Sequence, residues 1–221
     1  SDERPWSRDQ MIIAIDGPAG AGKGTLAARL ADHFGFAKLD TGLLYRAVGL
    51  KVIQAGISLD DEHAATEIAA GLQASDMTDI AMLRRDETGN AASCVSAFPG
   101  VRAQLLAFQR DFANAPPDGA KGAVLDGRDI GTVVCPDAAV KLFITASTEV
   151  RAERRLNELQ NRGLEAIYAR VFEDMKARDE RDEGREASPT AAASDAYVLD
   201  TGNLDAGEVF AKVLEYIDSK T

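Results

Sequence analysis

The sequence predicts an α/β fold in which a five-stranded parallel sheet lies between layers of helices. Five short apolar runs lack polar alternation, which is typical of strands buried on both faces. Each run ends in a polar or glycine-containing turn, and helical patterns separate the runs. Strands that alternate with helices favour parallel pairing through right-handed crossovers. The 221 residues suffice for one core domain with insertions.

The elements follow in order along the chain. The predicted strands are residues 11–15, 37–39, 123–125, 140–144 and 196–199. The predicted helices of the core are residues 25–34, 43–54, 101–112, 148–160, 164–182 and 206–219. Ligands of parallel sheets bind beyond the carboxyl ends of the strands. The polar residues at those ends are Asp16, Asp40, Asp126, Arg128, Asp129 and Asp200.

Three segments stand apart from this alternation. Residues 1–10 are polar, and we expect a disordered lead-in outside the fold. The second and third strands are separated by many more residues than one crossover helix would occupy. Residues 60–99, within this stretch, are therefore predicted to form an insert with a helix and short strands. Residues 151–170 open a highly charged segment, which we expect to form a helical lid. The core is then residues 11–59 and 100–221.

Composition excludes several classes of protein. A net charge of −11 argues against a general nucleic-acid coat or a protein of anionic membrane surfaces, since both need a basic surface. Of the 25 basic residues 17 are arginine, whose fork suits phosphate. Two cysteines, Cys94 and Cys135, without a Cys/His cluster predict reduced thiols in a cytoplasmic protein and no metal site. No apolar stretch is long enough for a membrane helix.

The most specific motif is G-x-x-x-x-G-K, placed directly after the first strand and before the first helix. Its glycines allow a tight turn whose N–H groups face a phosphate, the helix adds its positive end, and Lys23 adds a mobile charge. A glycine-rich turn without function is the alternative, but motif, strand and helix agree. The predicted phosphate-binding residues here, which the family resemblance below assigns to ATP, are Gly17, Pro18, Ala19, Gly20, Ala21, Gly22, Lys23, Gly24 and Thr25. Because Gly24 follows the lysine, the hydroxyl moves to Thr25, and Mg²⁺ is expected to be held mainly by phosphates and water.

The second strand end offers Thr41 as a helix cap and Arg46 one turn further on. They either face a ligand at the sheet edge or are only a capped helix with a surface arginine.

The third strand end carries Asp126, Arg128 and Asp129. Asp126 is placed to orient a water on Mg²⁺, Arg128 to hold a phosphate, and Asp129 to accept hydrogen bonds from a base or sugar. The alternative is a salt-bridge cluster among these three residues.

The charged segment contains two groups of arginines. On a helix, Arg178, Arg181, Asp182 and Arg185 share one face. Near the start of the segment lie Arg151, Arg154 and Arg155. Two such groups flanking a helical hairpin suit a lid that closes over phosphates, although a solvated, self-paired helix face is the ordinary meaning of such a run.

Together these motifs resemble one family, the bacterial cytidylate kinases within the nucleoside monophosphate kinases. The resemblance is carried in order by IDGPAGAGKGT, LDTGLLYR, NAASCVSAFPGVR, LDGRDIGTVVCPDA and RDERDEGR, and it covers about residues 11–217. It implies a P-loop NTPase-type three-layer fold with a five-stranded parallel sheet. It also implies that residues 60–99 are an NMP-binding insert and that the lid is helical.

The resemblance implies transfer of a phosphoryl group from ATP to CMP or dCMP with Mg²⁺, with no nucleic-acid or membrane partner. The implied catalytic residues are Lys23, Arg128 and Arg178, and Arg154 and Arg155 join the ATP side. Position by position, the resemblance implies that cytosine is bound by Ser93, Arg102 and Asp129. It implies that the sugar is bound by Thr41, Arg178, Asp182 and Arg185, and the phosphate by Arg46, Arg128 and Arg178. We expect a monomer.

Two alternatives remain open from the residues alone. One is a kinase for another small acceptor, such as UMP, AMP or a non-nucleotide. The other is a nucleotide-dependent switch that hydrolyses ATP without an acceptor. A phosphate acceptor is already ionised and needs no general base, which agrees with a chain holding only two histidines.

Overall fold

Five parallel strands form the sheet of this computed structural model, which describes residues 10–186 and 188–220. The prediction for residues 1–9 lies outside the described residues. The strands are β1 (Met11–Asp16), β2 (Ala37–Asp40), β3 (Gly122–Gly127), β4 (Val140–Thr145) and β5 (Tyr197–Asp200). Their order is β2-β3-β1-β4-β5, and every pair is parallel. The predicted five-stranded parallel sheet is confirmed.

Nine α-helices occur in the described part of the chain. They are α1 (Lys23–Phe34), α2 (Thr41–Gln54), α3 (Glu62–Ala70), α4 (Ile80–Leu83), α5 (Asp86–Val95), α6 (Pro99–Asn114), α7 (Thr148–Asn161), α8 (Tyr168–Gly184) and α9 (Ala206–Lys220). Local signals fix several starts. Asp61 and Ser147 cap α3 and α7 by accepting from the backbone N–H of Ala64 and Val150, and Pro99 is the first residue of α6. Within the described ranges, no helix is long and apolar enough to cross a membrane.

The sheet separates two cores because successive residues of a strand face opposite sides. Ile13 and Ile15 of β1 are fully buried in a cluster with Leu30 of α1 and Val213 of α9. Ala14 faces the other cluster, which includes residues of β3 and α6. The result is the predicted three-layer arrangement, with all strand carboxyl ends at one edge.

The segment between α2 and α6 contains helices and one 3₁₀ turn (Ala74–Met77), so the expected short strands are wrong. Buried Ala65 and Ala69 lie four residues apart in α3 and pack in one cluster with Val48 and Val52 of α2. Small residues at helical spacing favour this close packing of helices over strand pairing.

Helix α8 begins and ends later than predicted. Gly163 has a φ of +72°, and the residues after it form a connection in which Ile167 is 71% exposed and extended. The apolar residues 164 and 167 therefore do not extend the helix pattern that sequence alone indicated. At the other end, Arg185 lies outside the helix, with φ −71° and ψ 141°.

Candidate active site

The phosphate loop joins β1 to α1 and requires glycine at its first position. Gly17 has a φ of +143°, and a Cβ there would lie 1.9 Å from the carbonyl oxygen of Ile144. Gly22 caps α1 in the left-handed conformation, with φ +97°. The positive end of α1 thus opens onto the loop, which is the arrangement that binds phosphate in proteins.

Lys23 is the first residue of α1 and is buried at 6% exposure. Its Nζ donates a hydrogen bond to the carbonyl oxygen of Pro18 at 2.9 Å. Burial and the nearby Arg128 lower the pKa of the Lys23 ammonium, while Asp126 opposes them. The charged form of Lys23 is therefore destabilised by its surroundings, and a bound anion would stabilise it.

Asp16 is a site residue to which sequence reasoning gave no role. Its two carboxylate oxygens accept the backbone N–H groups of Ile130 and Gly131, each at 2.7 Å. These residues open a single π-helical turn (Ile130–Val134) that follows directly after Asp129. Asp16 therefore fixes the turn that presents Asp129. The available signal was its position at the end of β1, directly before the phosphate loop.

Asp16 should make stability rise as the pH falls. Burial raises its pKa from 3.8 to about 6 in the folded chain, so protonation favours the folded state below that value. Between pH 7 and pH 5 the unfolding free energy of the wild type should rise by about 1 kcal/mol relative to Asp16→Asn. Urea unfolding at both values measures this difference. An equal difference between the two proteins at both pH values would contradict the role of burial.

Eight of the nine predicted CMP residues line one small cavity of about 50 Å³. They come from the ends of β2 and β3, from α5 and α6, and from the end of α8. The eight are Thr41, Ser93, Arg102, Arg128, Asp129, Arg178, Asp182 and Arg185. Sequence reasoning missed two polar residues of this cavity, Tyr45 and Ser96.

Arg102 and Asp129 form a buried ion pair inside this cavity, with side chains 9% and 7% exposed. Arg102 also donates to the carbonyl oxygen of Ser96 at 3.0 Å and lies 5.2 Å from the ring centre of Tyr45. The pair thus places a fork of donors beside a carboxylate acceptor, held by the backbone and an aromatic face.

Asp182 connects the other walls of the cavity. It accepts from the Ser93 hydroxyl at 2.7 Å, and Arg128 Nε lies 3.4 Å from its second oxygen. Burial acts to raise the pKa of Asp182, but Arg128, Arg178, the Ser93 hydroxyl and Arg185 together outweigh burial and hold the pKa below its ordinary value. The carboxylate stays ionised and ties α8 to α5 and to the end of β3.

Two of the alternatives without a ligand, a solvated helix face and a salt-bridge cluster at the third strand end, do not describe the structure. Asp182 and Arg185 are 5% and 8% exposed, so the charged run is not a solvated helix face, although Asp182 does pair within the run with Arg178 and Arg185. Arg128 pairs with Asp182 and Asp129 pairs with Arg102, so the third strand end does not form a closed salt-bridge cluster of its own.

The reading of the second strand end also changes. Thr41 does not cap α2, because Asp40 holds the N-cap position. The Thr41 hydroxyl instead donates to the carbonyl oxygen of Asp126 at 2.8 Å. Arg46 is half-buried and donates to the carbonyl oxygen of Leu83 at 2.6 Å, so it is not a free surface arginine.

Arg178 lies among like charges. Burial lowers its pKa to about 9, and repulsion from Arg128 and Arg46 acts in the same direction. Its Nε is buried and has no hydrogen-bond partner within the described residues. A cation in this situation gains most from an anion, which indicates a phosphate position beside it.

A second, larger cavity of about 640 Å³ lies over the phosphate loop. Its lining includes Ala19, Gly20, Ala21, Gly22 and Thr25 together with Arg46, Arg154, Arg155 and Arg178. Arg154 donates to the Thr201 hydroxyl at 3.0 Å, and Arg155 pairs with Asp86 and with Glu158. Thr201 was missed although it follows a strand end; its hydroxyl lies 3.0 Å from the carbonyl oxygen of Ala21.

Comparison with known proteins gives consistent matches. A family model described as cytidylate kinase matches residues 13–219. A cytidylate kinase of Paramagnetospirillum magneticum is 61% identical over 211 residues, covering 95% of this chain and 98% of that protein. One of Rhodospirillum rubrum is 54% identical, covering 96% and 99%. An uncharacterized protein from Eubacterium ventriosum has a TM-score of 0.55 at 18% identity over 95% of this chain and 99% of that one, which shows likeness of fold alone.

Proposed function

The chain belongs to the cytidylate kinase family, and from that premise we propose how its residues carry out the reaction. Membership makes it an ATP-dependent kinase of CMP, which yields ADP and CDP, and does not favour UMP or AMP as the acceptor. We extend the acceptors to dCMP. An ATP-hydrolysing switch is disfavoured because it would not need the arginine-lined second cavity.

The observation that carries the assignment of roles is that Arg178 lines both cavities. The larger cavity holds the phosphate loop and takes ATP, with Arg154 and Arg155 on the same side. The residues that line the smaller cavity bind the nucleoside of CMP, and this cavity must widen to admit it, because about 50 Å³ holds only a few water molecules. The γ-phosphate and the acceptor phosphate then meet beside Arg178, where their negative charge neutralises the crowded cations.

Catalysis rests on alignment and charge neutralisation. The CMP phosphate is already ionised and attacks without a general base. Lys23, Arg128 and Arg178 stabilise charge on the transferring group, and Arg46 holds the acceptor phosphate. Residues 151–170 act as the lid and residues 60–99 as the insert, and their closure excludes water that would otherwise hydrolyse ATP.

Cytosine is recognised by the Arg102–Asp129 pair with Ser93. Cytosine carries an amino donor, which suits the Asp129 carboxylate, and ring acceptors, which suit the Arg102 fork. Uracil has a carbonyl oxygen in place of that amino group, so an acceptor would face the carboxylate. Thr41, Asp182 and Arg185 contact the sugar.

Mg²⁺ fits the donors present beside the phosphate loop. A Cβ placed on Gly24 would lie 3.7 Å from Asp126 Oδ2, and Thr25 is the next residue along the chain. The Asp126 carboxylate and the Thr25 hydroxyl both offer hard oxygen atoms. Among the described residues no cluster of three potential metal ligands occurs, so phosphates and water would supply most of the coordination. The bound ion would neutralise charge between the outer phosphates. Asp126 would orient its water.

The proposal includes a cytoplasmic monomer. Both cavities are built from residues of one chain, so the reaction needs no second copy. Cys94 and Cys135 are free thiols, which agrees with a reducing compartment. No nucleic-acid or membrane partner is proposed.

A coupled assay of ADP release tests the function. With ATP and Mg²⁺, we expect kcat/KM for CMP and dCMP to exceed that for UMP and AMP at least about tenfold. A preference for UMP or AMP would overturn the assigned acceptor. ATP turnover that ignores every added monophosphate would instead favour the switch.

A further inference from the structure

Arg151 differs from its neighbours Arg154 and Arg155 because its charged group is enclosed by protein. It lies in the first turn of α7, and its side chain is 5% exposed. A guanidinium has five N–H donors. All five have an acceptor: the carbonyl oxygens of Ala146 (2.9 Å) and Ala19 (3.1 Å), the Thr148 hydroxyl (3.1 Å), and both carboxylate oxygens of Asp179 (3.1 and 2.6 Å). No donor is left for a ligand.

The partners of Arg151 belong to separate parts of the site. Ala19 is in the phosphate loop, and Asp179 is in α8, directly after Arg178. A further contact joins the same parts: a Cβ on Gly20 would lie 3.4 Å from both Arg151 Cβ and Met175 Cε. The phosphate loop therefore rests on α7 and α8 at this point, and the Arg151 fork links their positions.

We propose that Arg151 is a positioning residue that sets the phosphate loop against α8, so that Arg178 stands between the donor and acceptor phosphates. The inference rests on the proposed function. Arg151, the first residue of the lid segment, is thus not one of the arginines that bind phosphate, although the sequence groups it with Arg154 and Arg155. Its planar fork is needed because one carboxylate and one loop carbonyl must be held by the same side chain.

The expected effect follows from alignment. Each nucleotide keeps its own contacts when the link is loosened, but the reacting atoms no longer meet correctly. For Arg151→Lys, which keeps the charge and loses the fork, kcat should fall about tenfold to a hundredfold, while KM for ATP and CMP changes less than about threefold. Asp179→Asn should act in the same direction. The double variant should be no slower than the slower single variant, because both changes break one link.

Arg29→Lys is the matched control, since Arg29 is exposed on α1 and undergoes the same chemical change. All proteins are assayed well below the lowest melting temperature, so that a purely structural role would lower the melting temperature without changing kcat. If Arg151→Lys does not fold, Asp179→Asn decides. A kcat within about twofold of wild type in a folded variant, a loss confined to KM, or additive losses in the double variant would overturn the positioning role. A wild type that does not phosphorylate CMP would overturn the proposed function instead.

Discussion

Replacing Arg178 with methionine should stabilise the folded chain and nearly abolish phosphoryl transfer. Burial and repulsion from Arg128 lower the Arg178 pKa to about 9, so its charge destabilises the fold at neutral pH. Asp182 would keep Arg128 and Arg185 as partners in the variant. The unfolding free energy should rise by at least about 1 kcal/mol, while kcat falls by about a thousandfold.

The guanidinium of Arg178 keeps its charge throughout the neutral pH range, so the advantage of Arg178→Met should be present across that range. Urea unfolding and the coupled kinase assay measure both effects. Lys176→Met on the exposed side of α8 is the control and should change neither. A destabilised Arg178→Met would contradict the account of like charges.

The parts of the fold that could be predicted from the sequence depend on residues close together along the chain. Each strand is a short apolar run with a polar end, so strand positions agree within about two residues. The phosphate loop was predictable because its glycines meet local requirements, such as the approach of Gly17 to Ile144. The insert was predicted less well, since alanine-rich stretches do not reveal which surface they pack against.

The parts of the site that the sequence did not reveal depend on contacts between distant residues. Arg151 meets Ala19 across 132 positions and Thr201 meets Ala21 across 180. Nothing near Arg151 distinguishes it from Arg154, because the difference lies in the acceptors that the fold brings to its guanidinium. Asp16 stood at the expected sheet edge, but its two backbone partners lie 114 and 115 positions away.

The net charge of −11 and the binding of anionic substrates are compatible because several cations are gathered at the sheet edge. Arg128 acts to lower the pKa values of Lys23, Arg46 and Arg178 at the sheet edge, in the direction expected of crowded cations. Burial is the largest cause in each case, so low solvation and repulsion act together. The protein therefore holds positive charge where phosphates are to bind, at a cost that the folded core offsets.

Lys23→Met should lower kcat/KM for ATP by about a thousandfold or more, because it removes the mobile charge of the phosphate loop. The burial of Lys23 adds a second expectation. Burial and Arg128 lower the Lys23 pKa, so a fraction of the side chain is neutral at mildly alkaline pH. ATP phosphates beside the Nζ would raise that pKa, and binding should be accompanied by proton uptake.

Titration calorimetry in buffers of different ionisation enthalpy, between about pH 7 and pH 9, measures this uptake. The wild type should take up more protons on binding ATP than Lys23→Met, and the difference should grow as the pH rises. Lys212→Met, exposed on α9, should behave as wild type. Equal uptake by wild type and Lys23→Met would mean that other groups, such as the buried carboxyls, take up the protons. In that case Lys23 is fully charged before the nucleotide arrives, and its bond to Pro18 holds a permanent cation.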